Sequence, residues 1–302
     1  MSYTINLTTT QAGEIISRYH LYSVPHTNNY TLFRAKYKGA TLTIFKTLTM
    51  LIQGAGSKNI YGDICEILDI EKKLHTATYS AETINLSVIG TDEVGTGDFF
   101  GPVVVAAAYV PKIQILPLMR LGVKDSKKIS DFKVLEMAPE LMKEIKYDAL
   151  ILNNLKYNYL TTKGNCNMNK LKALLHNNVI HNILQKITEY DAIIVDAFTT
   201  QDKYFDYLKD QEIVIENVEL TEKGESKYTA IACASIIARY LFIKEMDKLS
   251  KEVGFDLPKG AGNKVDLAIS KILKEYNDVY FNRIAKVNFK NLERVKGKDS
   301  RT

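Results

Sequence analysis

The spacing of apolar and polar positions divides the chain near residue 85. Over 30–43 the side chains alternate, with Arg34, Lys36 and Lys38 on one side and Ala35 and Tyr37 on the other. Such alternation predicts strands, because successive strand side chains point to opposite faces. Two further strands are predicted at 40–45 and 50–53. The Lys-, Thr-, Ser- and Ala-rich stretch 71–85 has little apolar period and holds a linker, assigned to 76–85. Beyond it, short runs rich in β-branched residues predict buried strands at 86–92, 103–110 and 149–153, then at 192–195 and 213–218. Helical spacing predicts helices over about 131–146, 169–188, 228–253 and 265–276. The third carries Ala230, Ala232, Ala234, Ser235 and Ala238, small enough to let a helix lie close on a sheet. The charged end, 296–302, reads as a mobile tail.

Length and composition refine this picture. A chain of 302 residues is long for one core, so one large and one smaller domain are expected. The composition, 46% hydrophobic and 25% charged, is that of an ordinary globular protein. The net charge of +5 permits a polyanionic partner without demanding one. Residues 1–80 hold 8 Lys and Arg against 5 Asp and Glu, which concentrates positive charge in the first unit. A basic strand face there suits a phosphate backbone as well as plain solvation. Cys65, Cys166 and Cys233 are far apart and form no C-x-x-C, so neither a disulfide framework nor a cysteine zinc site is indicated. The start, M-S-Y-T-I-N-L, lacks the basic and apolar segments of a leader, and no apolar run reaches spanning length. A cytoplasmic protein without a membrane partner is expected, and nothing demands more than a monomer.

Four acids stand where buried strands or helices begin or end. Asp92 and Glu93 close the first strand of the large unit, Asp196 closes I-I-V-D, and Glu225 in K-G-E-S precedes the small-residue helix. One such acid is usually a turn or cap; four on one sheet suggest convergence. Crowded carboxylates raise one another's pKa unless a cation neutralises them. With no His or Cys among them, hard divalent ions fit, Mg²⁺ first. Two such ions support in-line displacement at phosphorus, with one between Asp92 and Asp196 activating water. Gly95, Thr96 and Gly97 follow, a loop whose bare backbone can approach a ligand and satisfy a 2′-hydroxyl, which both donates and accepts. A tight turn that merely needs glycine is the competing reading. A dinucleotide-binding loop is excluded, because G-T-G-D-F-F-G leads into a strand. His176 and His181, on the long helix, receive no role.

Six blocks in order resemble the ribonuclease HIII family: G-T-D-E-V-G-T-G-D-F-F-G-P-V-V-V-A-A-A-Y-V, V-K-D-S-K-K-I-S, N-M-N-K-L-K-A-L-L-H-N, I-V-D-A-F, K-G-E-S with A-S-I-I-A-R, and L-P-K-G-A-G-N-K-V-D. The resemblance covers most of the chain. It implies an α/β fold, an RNase H-like mixed sheet flanked by helices over 86–302, preceded at 1–75 by a small α+β, TATA-box-binding-protein-like substrate-binding domain. It implies endonucleolytic cleavage of the RNA strand of RNA/DNA hybrids, leaving 5′-phosphate and 3′-hydroxyl ends, with Mg²⁺ favoured and Mn²⁺ usable. By position, Asp92, Glu93, Asp196 and Glu225 match the metal-binding carboxylates, and Gly95, Thr96 and Gly97 match the ribose-reading loop. Ser126, Lys127, Asn169 and Lys170 match backbone-contacting elements, with capping and solvated surface as the alternative. One departure is Leu48, which stands at a hairpin turn where the family uses glycine. Incision at single embedded ribonucleotides, as by a ribonuclease HII-like enzyme, and non-catalytic hybrid binding are the rival functions.

Overall fold

The computed structural model describes residues 2–26, 31–68, 85–123, 129–164 and 166–299. The chain separates into two compact units, Met1–His75 and Thr76–Thr302. The linker assigned to 76–85 lies almost wholly outside the described residues.

The first unit runs β1 (Ser2–Asn6), α1 (Thr9–Tyr19), β2 (Thr31–Tyr37), β3 (Ala40–Phe45), β4 (Thr49–Gly54) and α2 (Ser57–Ile67). Its strands form an antiparallel sheet in the order β1-β4-β3-β2. The predicted alternation on β2 is present: Phe33 and Ala35 are buried, Arg34 and Lys36 exposed. Lys38 falls outside the strand, in the turn to β3, with φ 44°. Helix α1 was not anticipated, although Thr8 and Gln11 form a reciprocal capping box at its start. Both helices press their apolar stripes onto one sheet face, where Ile15, Leu42, Ile44, Met50, Ile52 and Ile64 are buried. The hairpin between β3 and β4 closes despite its leucine. Leu48 takes the left-handed conformation, φ 62°, its N–H donates to Phe45 O at 2.9 Å, and its carbonyl accepts from Leu7 N at 2.9 Å. The side chain packs against the core, which offsets the strain of positive φ.

The second unit contains β5 (Val88–Val94), β6 (Val103–Val110), α3 (Lys112–Arg120), α4 (Asp131–Glu144), β7 (Lys146–Leu152), α5 (Asn154–Thr162), α6 (Met168–Leu184), β8 (Ala192–Asp196), α7 (Gln201–Leu208), β9 (Glu219–Thr221), α8 (Thr229–Val253), α9 (Asn263–Ile272), α10 (Phe281–Ile284) and α11 (Asn291–Asp299). The strand order is β7-β6-β5-β8-β9; β5 pairs antiparallel with β6 and parallel with β8. Both faces are covered, which is why β6 reads as an unbroken apolar run. Val104, Ala106 and Ala108 enter the core with α8, whereas Val103, Val105 and Ala107 enter a second core with α6 and α7. This is the expected mixed α/β architecture.

Two expectations fail locally. The strand predicted over 213–218 is irregular, and pairing with β8 begins only at Glu219. Buried Asn177 of α6 explains it: its amide donates to Ile213 O at 2.7 Å and its Oδ1 accepts from Ile215 N at 2.9 Å. A side chain thus takes the backbone groups that a neighbouring strand would have used. Asn177→Ala is expected to cost about 2 kcal/mol by orphaning both groups, measurable by urea denaturation. The tail read as mobile from 296 is helical through Asp299. Val295 is buried, and Asn291 and Arg294 both bond Asp266 at 2.7 Å.

Candidate active site

Adjacent strand residues face opposite ways, and that pleat sorts the acids. Along β5, Gly90 lies against Ala230 and Ile231 of α8, while Thr91 bonds His176 of α6 at 2.7 Å. Asp92 therefore turns to the α8 side, where Ser235 hydrogen-bonds its carboxyl. Glu93 turns to the α6 side. In the parallel register Thr91 lies opposite Val195, so the next pair, Asp92 and Asp196, emerges side by side at the carboxyl ends of β5 and β8. Glu225 comes in from the short turn before α8, and Ser235 Oγ lies 3.4 Å from its Oε2. Ser235 thus stands between Asp92 and Glu225.

Asp196 is oriented by the chain itself, since Gly224 N donates to its Oδ1 at 2.7 Å. An added Cβ at Gly224 would stand 2.4 Å from the Ile231 Cδ1 and 3.2 Å from that oxygen, a crowding that favours glycine. The preceding Lys223 is held at φ 55°, ψ 39°, backbone strain stored where Glu225 must be aimed. Burial, then the neighbouring Glu93 and Asp196, push the Asp92 carboxyl well above the usual carboxylate range. An all-oxygen donor set short of positive charge matches the chemistry of a hard divalent cation.

Glu93 is different. Burial pushes its carboxyl up, but His176 and Lys172 outweigh burial and draw it down to about 2. Lys172 Nζ lies 2.6 Å from Oε1, and His176 Nε2 lies 2.9 Å from Oε2. Both oxygens are engaged, and among the described residues no three or more of these acids form a ready-made ligand cage. Lys172 and His176 were missed from sequence, His176 having been assigned no role. The available signal was their four-residue spacing, which puts both on one face of α6.

The loop after Glu93 is firmly fixed. Gly95 needs its glycine, with φ 92° and the Phe242 ring 2.9 Å from an added Cβ. Gly97 does not: it is exposed, and an added Cβ would meet nothing within 4 Å. The turn reading therefore accounts for Gly95 and leaves Gly97 open to a ligand. Farther on, Gly260 N donates to Asp98 Oδ1 at 2.5 Å, and buried Lys286 Nζ donates to Asp98 O at 2.9 Å and Gly101 O at 2.5 Å. Burial pushes the Lys286 ammonium down to about 7.

Of the remaining candidates, Asn169 and Lys170 sit half-buried in the first turn of α6, about two turns before His176. Asn167 caps that helix, accepting from Lys170 N at 2.9 Å. Ser126 and Lys127 lie outside the described residues. Just after them, Arg239 donates to Ile129 O at 2.8 Å and to Asp131 Oδ1 at 2.6 Å, which moors the chain to α8.

Known proteins match the chain along most of its length. The family model described as Ribonuclease HII covers residues 89–292, and the one described as Domain of unknown function (DUF3378) covers 3–61. Ribonuclease HIII of Bacillus mycoides (strain KBAB4) is 41% identical over 274 residues, spanning 87% of this chain and 88% of that protein. Ribonuclease HIII of Bacillus cereus (strain ATCC 10987 / NRS 248) is 39% identical and spans 97% of each. Among solved structures, Bst-RNase HIII in complex with Mn²⁺ superposes with a TM-score of 0.72 at 33% identity, over 100% of both chains. The ribonuclease H2 from Pyrococcus horikoshii OT3 shares the fold, with a TM-score of 0.58 at 22% identity over 72% of this chain.

Proposed function

The chain belongs to the ribonuclease HIII family, and from that premise we propose how its residues divide the work of cutting an RNA/DNA hybrid. As a ribonuclease H it is a metal-dependent endonuclease that hydrolyses the RNA strand. Asp92, Glu93, Asp196 and Glu225 are the metal-binding and catalytic carboxylates. The observation that carries this assignment is the parallel β5–β8 register, which sets Asp196 beside Asp92 while Ser235 ties Glu225 to the same rim. Bound Mg²⁺, or Mn²⁺ in its place, supplies Lewis acidity toward the phosphate and a water of lowered pKa.

The protein's own contribution is placement. Gly224 N–H aims Asp196, and burial makes Asp92 a carboxylate that gains by meeting a cation. Gly95, Thr96 and Gly97 present backbone to the ribose 2′-hydroxyl, with Gly97 as the point of closest approach. Asn169 and Lys170, with Ser126 and Lys127, hold the phosphate backbone. Residues 1–75 are a substrate-binding domain whose basic β2 face, Arg34 and Lys36, meets the nucleic acid, and 76–85 link it to the catalytic domain 86–302. The enzyme works as a monomer in the cytoplasm. Among the described residues no helix is long and apolar enough to cross a membrane.

The test is a cleavage assay comparing an all-RNA/DNA hybrid with a DNA duplex carrying one ribonucleotide, in Mg²⁺ and in Mn²⁺. The hybrid is expected to be cut at many positions and the singly substituted duplex poorly in Mg²⁺, with all cleavage lost on chelation and restored by Mg²⁺. Efficient incision of the singly substituted duplex in Mg²⁺ would instead assign ribonuclease HII-like activity.

A further inference from the structure

The Lys172 and His176 contacts to Glu93 are not accounted for by catalysis. Lys172 and Glu93 form an ion pair whose side chains are only 10% and 11% exposed. His176 is fully buried; since a carboxylate can only accept, its Nε2 donates to Glu93 while Nδ1 pairs with the Thr91 hydroxyl. Phe198, two residues after Asp196, closes the arrangement. Its ring centroid is 4.1 Å from Lys172 Nζ and 5.3 Å from the His176 ring, which it stacks at 20°. A lysine of this kind is a fixed positive charge in a partly dry setting, where its attraction for a carboxylate is far stronger than in water.

We propose that Lys172, backed by His176 and screened by Phe198, is a built-in counter-cation that holds Glu93 on the α6 face in the resting protein and competes with an incoming divalent ion for it. The proposal rests on the carboxylate assignment above and adds a regulatory contact to it. In the resting state Asp92 and Asp196 stand together at the strand ends with Glu225 tied to them through Ser235, and Glu93 joins only when it leaves Lys172. The lysine thereby weakens metal binding and keeps the crowded rim tolerable without metal.

The probe is Mn²⁺ alone, followed by titration calorimetry and by loss of the free-ion EPR signal, with no substrate present. Lys172→Met is expected to tighten Mn²⁺ binding on the order of tenfold, because the competitor is gone and the rim gains net negative charge. Glu93→Gln is expected to weaken binding less in the wild-type background than in the Lys172→Met background, where it should cancel most of the gain, because Lys172 already claims part of what Glu93 offers the ion. Mn²⁺ affinity unchanged or lowered in a folded Lys172→Met protein overturns the proposal. So does a Glu93→Gln loss as large in the wild type as in the Lys172→Met background, and Lys172→Gln carries the same comparison where Lys172→Met does not fold. Absence of Mn²⁺ uptake in every variant overturns the carboxylate assignment itself, and this inference with it.

Discussion

Asparagine in place of Asp92 is expected to lower RNA-strand hydrolysis by about three orders of magnitude or more while leaving hybrid binding intact. The substitution is nearly isosteric, and Asn can still accept the 2.7 Å bond that Glu93 N makes to the Asp92 Oδ1. What disappears is a negative charge at the end of β5, beside Asp196. Hybrid affinity, measured by mobility shift with metal chelated, should hold or rise slightly, because a negative charge is removed from beside the phosphates. Stability supplies a second readout. The folded-state pKa of Asp92 is raised, so its ionised form costs stability at every pH above its ordinary value near 3.8. Asn cannot ionise, so the metal-free variant should unfold at higher urea than the wild type at pH 7, with the difference shrinking toward pH 4. Hydrolysis within about tenfold of wild type would remove Asp92 from the reacting centre.

That Asp92 and Asp196 emerge together at the strand ends follows from elements whose sequence signals are strong. β5, β6 and β8 are short apolar runs, of which β5 carries its acids near its end and β8 closes on one, and the first half of α8 is rich in small residues. What spacing along the chain cannot reveal is the pleat of β5, which sends Asp92 to one face and Glu93 to the other. Nor does it reveal that α6 is the helix covering the Glu93 face, which alone gives Lys172 and His176 their partner. The false strand at 213–218 has a similar origin: its Val and Ile content suits a strand, but the competing hydrogen-bond partner, Asn177, lies 36 residues earlier. The glycines were half legible. Sequence marked Gly95 and Gly97 as one loop, whereas only Gly95 is demanded by backbone angle and packing.

Gly90 makes the sharpest structural prediction, because it lets α8 lie directly on β5. A Cβ added there would stand 2.5 Å from the Ala230 carbonyl carbon and 2.9 Å from its Cβ, and would also meet Ile231 N. Two of these three atoms are helix backbone, which no rotamer change can move. Gly90→Ala must therefore push α8 outward along its contact with the sheet, opening the core that Ile231, Ala234 and Ala238 fill. The expected cost is about 3 kcal/mol or more, a melting shift of roughly 6–12 °C for a domain of this size. Because Ser235 rides on the same helix and bonds both Asp92 and Glu225, the folded fraction should also bind Mn²⁺ more weakly. Gly97→Ala is the matched control. Its added methyl meets no protein atom, so its melting point should stay within about 2 °C of wild type. If Gly97 approaches the ribose, the same methyl should slow hybrid cleavage at least tenfold with the fold undisturbed. Calorimetry on both variants beside a cleavage assay separates a glycine kept for packing from one kept for substrate, and equal melting points for the two would refute the close-contact account of Gly90.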